Sequence, residues 1–479
     1  MSAVLWNSLN AWWPEVLLSI GGLQVIVLGV WCKSPLAAMA AAWAFLLAAA
    51  AALWLTPVPP LTAVFSGLIV CDPFSLAFRW LALGTVALIL LLIGGAREID
   101  PEICGEGLGL LLLVGVGLML MAEANHLLIA YVAMELVSLS SYLLVGFLRE
   151  PRSAEAALKY LLFGALSSGI MLFGMSLLFG LTGTLEFPAL RGALAGLGGP
   201  MQGCVLVATA LLLAGLAFKI SMVPFHMWTP DAYEGAPVAV TAFLSVGPKA
   251  AGLALLSRLV EVLQPVWPQL SPLLVVLAVA TMTLGNLAAL TQTNVKRLLA
   301  YSTIAQVGYL LIGLITRTII GREALLLYLT AYLFMNLGAF ACVVAVVEAT
   351  GGESVEAFRG LSKRAPLLAL AAAIFLLSLA GLPPLFGFVG KLLLFRSALE
   401  AGVPVLAVAA AVNSAVALYY YVNLIRLMYF NPPADPAPVR PTPALGLALV
   451  VCAAATLLLG LFPGPLLALL RVGTAANLL

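Results

Sequence analysis

Glu135 in "LLIAYVAMELVSLSSYLLVGF", Lys219 in "LAFKISMVPFH", Lys249 in "SVGPKAAG" and Lys391 in "GFVGKLLLF" are ionisable groups set inside apolar runs. On insertion scales a charged residue at the centre of a membrane helix costs roughly 2.5–3.5 kcal/mol, so each must be paired or functional. Counted from the start of its run, Lys249 lies about 12 residues in (~18 Å of helix rise), Lys219 about 16 (~24 Å) and Glu135 about 8 (~12 Å). All three are expected to face the interior of a helix bundle.

The chemistry open to this set is proton transfer. Burial penalises a charge and a neighbouring opposite charge restores it, so a carboxylate near a lysine can be switched between two protonation states. Lysine can shed its proton, unlike arginine. Glu135 is therefore expected to pair with an intramembrane lysine; the alternative is a carboxylate neutralised by a hydroxyl neighbour. Lys159 in "EAALKYLLFGALSSG" is the shallowest, about 6 residues into its run, and could equally reach up to the interface.

Two of the lysines adjoin helix breakers. Pro224 follows Lys219 by five residues, and Gly381, Pro383, Pro384, Gly387 and Gly390 precede Lys391. Proline removes an amide donor and clashes with the preceding turn. At membrane depth such interruptions survive only where protein or water satisfies the freed backbone, which is where ion pathways lie; a packing kink is the alternative. His226 follows the first break, and its near-neutral titration suits a relay, although a lone histidine in a satisfied packing role is common. His126, in "MAEANHLL", is expected at the interface without a catalytic role. Asp231 and Glu234 are expected to cap and turn a polar hairpin loop after the break.

These residues need many spans to position them. Of 479 residues, 63% are hydrophobic and 9% charged, far from soluble composition. With roughly 20 apolar residues per crossing, the chain divides into about fourteen candidate spans near 14–32, 36–56, 73–95, 106–122, 127–148, 153–181, 203–226, 237–262, 271–291, 297–316, 322–349, 365–400 with a break, 404–430 and 443–470. The fold class is an all-α polytopic membrane protein without a soluble domain.

Loops after odd-numbered spans hold Lys33, Arg97, Arg149, Arg152, Lys296, Arg297, Arg359, Lys363, Arg364, Arg426 and Arg440; the opposite face holds Arg191, Arg258, Arg317, Arg322, Arg396 and Arg471. That bias places both termini on the non-cytoplasmic side. Arg79, Lys159, Lys219, Lys249 and Lys391 fall inside spans. The first span lacks the basic flank and cleavage site of a signal peptide and is expected to be retained. Six scattered cysteines exclude CxxC metal or iron–sulfur ligation, no phosphate-binding loop is present, and a net charge of +2 gives no reason to expect nucleic acid.

"FKISMVPFHMWTPDAYEGAPVAVTAFLSVGPKA", "NVKRLLAYSTIAQVGYLLIG" and "GLPPLFGFVGKLLLF" resemble the antiporter-like membrane subunits of respiratory complex I (NADH:quinone oxidoreductase), most closely the N type, from about residue 70 to 430. The resemblance implies fourteen transmembrane helices, with N-terminal helices 1–3 over 1–105. Two inverted five-helix repeats then span 106–262 (helices 4–8) and 271–430 (helices 9–13), with helices 7 and 12 discontinuous and helix 14 over 443–479. It assigns the family's proton-carrying glutamate to Glu135 and its lysines to Lys159, Lys219, Lys249 and Lys391. A lysine at 391 and little chain after span 14 favour the N type over M and L. Two positions depart from the pattern: Gln306, where several relatives have histidine, and His126, where they often have aspartate.

The implied function is proton translocation coupled to redox chemistry in other subunits. This chain is expected to hold no cofactor, with quinone, flavin and iron–sulfur clusters in partner subunits. The implied partners are other membrane subunits of complex I, including neighbouring antiporter-like subunits, within a bacterial inner membrane. Alternatives are a subunit of a multisubunit cation/proton antiporter, a ferredoxin- or hydrogenase-linked relative of complex I, and a scaffold that only spaces pumping subunits apart.

Overall fold

The structure is a computed structural model that describes residues 2–56, 62–198, 201–433 and 437–474. Residues 1, 57–61 and 475–479 of the N- and C-terminal segments expected at 1–105 and 443–479 lie outside the described residues.

The described chain is helical apart from one small hairpin. In order its elements are α1 (Ser2–Ala11), α2 (Trp13–Cys32), α3 (Pro35–Leu55), β1 (Thr62–Val64), β2 (Ile69–Cys71), α4 (Pro73–Gly95), α5 (Cys104–Glu123), α6 (Leu127–Val145) and α7 (Pro151–Thr182). Then come α8 (Phe187–Gly196), α9 (Met201–Ile220), α10 (Trp228–Gly235), α11 (Val238–Val262), α12 (Trp267–Ala289), α13 (Val295–Ile315) and α14 (Ile319–Thr350). The last are α15 (Leu361–Arg364), α16 (Pro366–Ala380), α17 (Phe386–Glu400), α18 (Pro404–Phe430), α19 (Pro443–Leu461) and α20 (Gly464–Thr474). Thirteen of these are long and apolar enough to cross a membrane. The shorter α16 and α17 add a passage in two pieces, so the molecule is an all-α polytopic membrane protein.

Local chemistry sets the helix ends. Proline opens α4, α7, α16, α18 and α19, where its missing amide costs nothing. Asp72 and Ser75 form a capping box on α4, and Gly183 and Gly351 end α7 and α14 in the left-handed conformation. Two corners are built alike. Leu127 and Phe187 exchange backbone hydrogen bonds with Leu185 and Asn125 around the His126–Glu186 bridge, and Val295 and Val355 do the same with Glu353 and Thr293 around Asn294–Ser354.

Helices α11 and α13 are enclosed on nearly every side, whereas α2, α3 and α18 turn Trp31, Trp54, Leu36 and Phe430 outward. Lipid-facing apolar surface makes that distribution stable. Close approach of α2 to α5 depends on small residues: a Cβ on Gly105 would lie 2.4 Å from the Gly29 Cα.

The assignment of Arg258 to a loop face is corrected by this packing. Arg258 belongs to no surface loop; it is fully buried near the end of α11, bonding Asp72 at 2.9 and 3.0 Å and the Ala122 carbonyl at 2.6 Å. Arg79 is buried likewise, 2.5 Å from Glu15 and 2.8 Å from Glu123. Both tie α4 to distant helices, because a buried guanidinium without a carboxylate is far costlier than one with it.

Candidate functional site

Helix α9 ends one residue after Lys219. Ser221 turns left-handed (φ 64°), and the chain re-enters helix only at Trp228. The interrupted backbone is satisfied locally: the Val223 amide donates to Thr281 Oγ1 at 3.1 Å, and Trp228 Nε1 donates to the Phe218 carbonyl at 3.0 Å. Lys219 is 1% exposed and donates from Nζ to Ser138 Oγ at 3.0 Å. Glu135, one turn before Ser138 on α6, accepts a hydrogen bond from Ser168. Among the described residues no ion pair joins Glu135 to a lysine; the expected direct pair is replaced by two serines, Ser138 on Lys219 and Ser168 on the carboxylate.

Lys249 lies midway along α11 and is fully buried. Its Nζ has no hydrogen-bond partner among the described residues and stands 4.6 Å from the Trp228 ring and 5.4 Å from that of Tyr233. Trp228 is held in turn by stacking on Tyr160 at 4.1 Å. The first residue of α10 thus supplies the aromatic face that an isolated ammonium needs.

The second break is built from different groups. α16 stops at Ala380, Gly381 takes φ 91°, and a Cβ there would meet Lys391 Cδ at 2.9 Å. Glycine is required for both conformation and space. Lys391, 2% exposed on α17, donates to the Leu379 and Ala380 carbonyls at 3.0 and 3.1 Å and to Ser414 Oγ at 3.2 Å, over the Tyr309 ring at 4.5 Å. Those carbonyls are the orphaned acceptors at the negative end of α16.

Polar side chains fill the space between the breaks. Gln306 Nε2 donates to the Leu379 carbonyl at 3.2 Å, sharing that acceptor with Lys391, and its oxygen accepts from Tyr328. Ser302 contacts Tyr421 at 2.5 Å, Tyr332 donates to Thr303 at 2.9 Å, and Asn336 donates at 2.6 Å to Ser245, one turn before Lys249. Of this row the sequence marked Gln306 alone; the other members are single amides and hydroxyls inside α11, α13, α14 and α18.

Residues 124–417 match the family described as "NADH:quinone oxidoreductase/Mrp antiporter, TM". The chain belongs to this family. It is 48% identical over 429 residues, 84% of each chain, to "NADH-quinone oxidoreductase subunit N 2" of Sorangium cellulosum. It also superposes on a chain of respiratory complex I from Thermus thermophilus with bound aureothin, with a TM-score of 0.80, 36% identity and coverage of 95% and 98%. A chain of the Mrp complex from Dietzia sp. is similar at 26% identity, TM-score 0.83 and 96% coverage of both chains.

Within this family member the structure separates the expected site residues. Lys219, Lys249 and Lys391 are buried along one polar interior. His226 lies in the first break, half-buried, with Nδ1 unpartnered among the described residues. Lys159 stands apart, 44% exposed on α7 and paired with Glu155 at 2.8 Å and Asp231 at 3.3 Å. Asp231 and Glu234 form no hairpin loop. They lie on α10 and bind Arg297 at 2.8 and 2.7 Å, because α10 packs its polar side against the start of α13. Lys296, expected in a loop, is 1% exposed and bonds the Ala236 carbonyl at 2.9 Å and Glu353 at 2.5 Å. Beside it a cavity of about 650 Å³ is lined by Glu98, Arg152, Glu234 and Glu353. Burial pushes the Glu98 carboxyl above its ordinary range while its Oε2 accepts the Val238 amide at 2.7 Å.

Proposed function

We propose that this chain is an N-type proton-translocating membrane subunit of a complex I-type NADH:quinone oxidoreductase. The observation that carries the reading is the seat of Lys391: a buried lysine held by the carbonyls that a helix break frees, in line with two further buried lysines. The curated relative named as subunit N supports the same assignment. Protons alone move here. Each amine accepts one on Nζ and passes it on, with Glu135, Lys219, Lys249 and Lys391 as carriers and His226 beside the first break. Lys159 is a peripheral member, coupled through Asp231. Flavin, iron–sulfur and quinone chemistry belong to partner subunits.

The two similar corners, and the two interrupted helices α9–α10 and α16–α17, support inverted repeats over 106–262 and 271–430. The excess of Lys and Arg supports termini outside and the Lys296 face in the cytoplasm, in a bacterial inner membrane. Lys391 then leads towards the outer half. Moving one charge fully across is opposed by roughly 2.3 kcal/mol per 100 mV, so transfer from a neutral amine in short steps is favoured.

The likeness to the Mrp complex leaves an ion-exchange subunit as the second reading. Purification of the intact complex decides between them. Copurifying flavin and iron–sulfur proteins, with vesicle acidification that fails in Lys391→Ala while the complex assembles, are expected. A complex without redox subunits, or full acidification by that variant, overturns the assignment.

A further inference from the structure

Helices α16 and α19 enclose a groove of about 690 Å³. Leu370, Ala371 and Ile374 line it from α16, and Leu449, Val450 and Ala453 from α19. Two cations, Arg364 and Arg440, stand where both helices leave the apolar zone, and among the described residues no carboxylate lines the groove. Arg364 is 8% exposed; its Nε donates to the Ala437 carbonyl at 2.9 Å, while its Nη2 has no hydrogen-bond partner among the described residues. Arg440 is exposed.

A buried guanidinium N–H without an acceptor is costly, and an acceptor arriving from outside relieves it. A groove of this volume with mostly apolar walls in a lipid-facing surface admits a hydrocarbon chain. Arginine pairs bind phosphate oxygens strongly and by two-point contact, and basic pockets between transmembrane helices suit anionic headgroups. We infer that this groove holds one anionic phospholipid, with an acyl chain lying between α16 and α19 and its phosphate on Arg364 and Arg440. A neighbouring protein helix would meet the apolar walls equally well but would leave both cations uncompensated unless it brought a carboxylate.

The occupant would brace α16. Ile374, on the groove, precedes by five residues the Leu379 carbonyl that holds Lys391, so a seated chain opposes lateral movement of the helix end that presents this acceptor. Binding itself stands independently of proton translocation and is measured independently.

The test uses the intact membrane complex in phosphatidylcholine vesicles doped with phosphatidylglycerol bearing a photoreactive diazirine in one acyl chain. Irradiation and peptide mapping are expected to label α16 near Ile374 and α19 near Val450. Labelling is expected to fall about fivefold in Arg440→Gln, equivalent to about 1 kcal/mol for one basic contact near the membrane surface, and further in the Arg364→Gln, Arg440→Gln double variant. Arg440 is exposed, so its single variant should assemble normally and keeps the test valid if the double variant does not. The same diazirine on phosphatidylcholine should label weakly, and inorganic phosphate should not compete. Equal labelling by both lipids, unchanged labelling in Arg440→Gln, or cross-linking of a photoreactive residue replacing Ile374 to another subunit would each overturn the proposal.

Discussion

The two helix breaks hold their lysines by opposite means. Lys219 lies before its break, in the last turn of α9, and is held by a rotatable hydroxyl on α6. Lys391 lies after its break and is held chiefly by two backbone carbonyls of α16. A serine can turn away without moving a helix, and Ser138 sits on the helix that also carries Glu135. Backbone acceptors move only when α16 and α17 move relative to each other. The first site can therefore be switched by side chains, whereas the second responds to the backbone.

The largest effect that tests this contrast is Lys391→Ala, which should bring acidification of sealed vesicles close to background in an assembled complex. Its comparison is Lys159→Ala, which removes only exposed ion pairs of the kind contributing about 1 kcal/mol or less. Equal and near-wild-type proton yields in the two variants would remove Lys391 from the required set.

Next comes Lys219→Arg. Charge is kept, but arginine does not release its proton in a protein, so vesicle acidification coupled to quinone reduction should drop about tenfold or more. An arginine variant that pumps fully would show that this position supplies a fixed charge and does not cycle.

A finer comparison sets the two serines against each other. Ser138→Ala removes the hydrogen-bond partner that Lys219 has among the described residues and should cost roughly tenfold in turnover, as expected for loss of a bond to a charged group. Ser414→Ala leaves Lys391 its two carbonyls and should cost less than about twofold. Reversal of that order would mean that the carbonyls do not hold the second lysine.

The smallest expected effect concerns the corners. His126 Nδ1 accepts the Leu128 amide at 3.1 Å, where Asn294 caps α13 in the matching corner. Partial burial lowers the His126 imidazole below its ordinary value. The released helix start therefore takes up a proton first, and this cap is complete above about pH 6.5 and weakens as pH falls below it. After correction for the slower intrinsic exchange at lower pH, protection of the Leu128 amide should fall on acidification while that of Lys296 does not. Parallel behaviour at both amides would refute the difference between the caps.

Part of this organisation was legible in the chain. Fourteen passages followed from runs of apolar residues, and both interruptions were marked by Pro224 and by Gly381 with Pro383 and Pro384, because proline and glycine act on their own backbone wherever they stand. The depths of Lys219, Lys249 and Lys391 followed from counting residues. Asp231 and Glu234 were misread because polar residues after a proline look like a turn, while Arg297, 66 and 63 residues away, draws them onto the flank of a short helix. Arg258 was placed in a loop because a positive charge near a helix end ordinarily faces water; its Asp72 is 186 residues distant.

Sequence alone determined the membrane class, the number of crossings, the two broken helices and the positions of the buried amines, since each depends on hydrophobicity or backbone freedom within a few neighbouring residues. Only the tertiary structure decided what each amine touches: a serine for Lys219, aromatic faces for Lys249, freed carbonyls for Lys391. Those partners lie on other helices or across a break, and apolar periodicity does not encode which face of one helix meets which face of another. Close packing between helices does, and it brings into contact groups separated by tens to hundreds of residues.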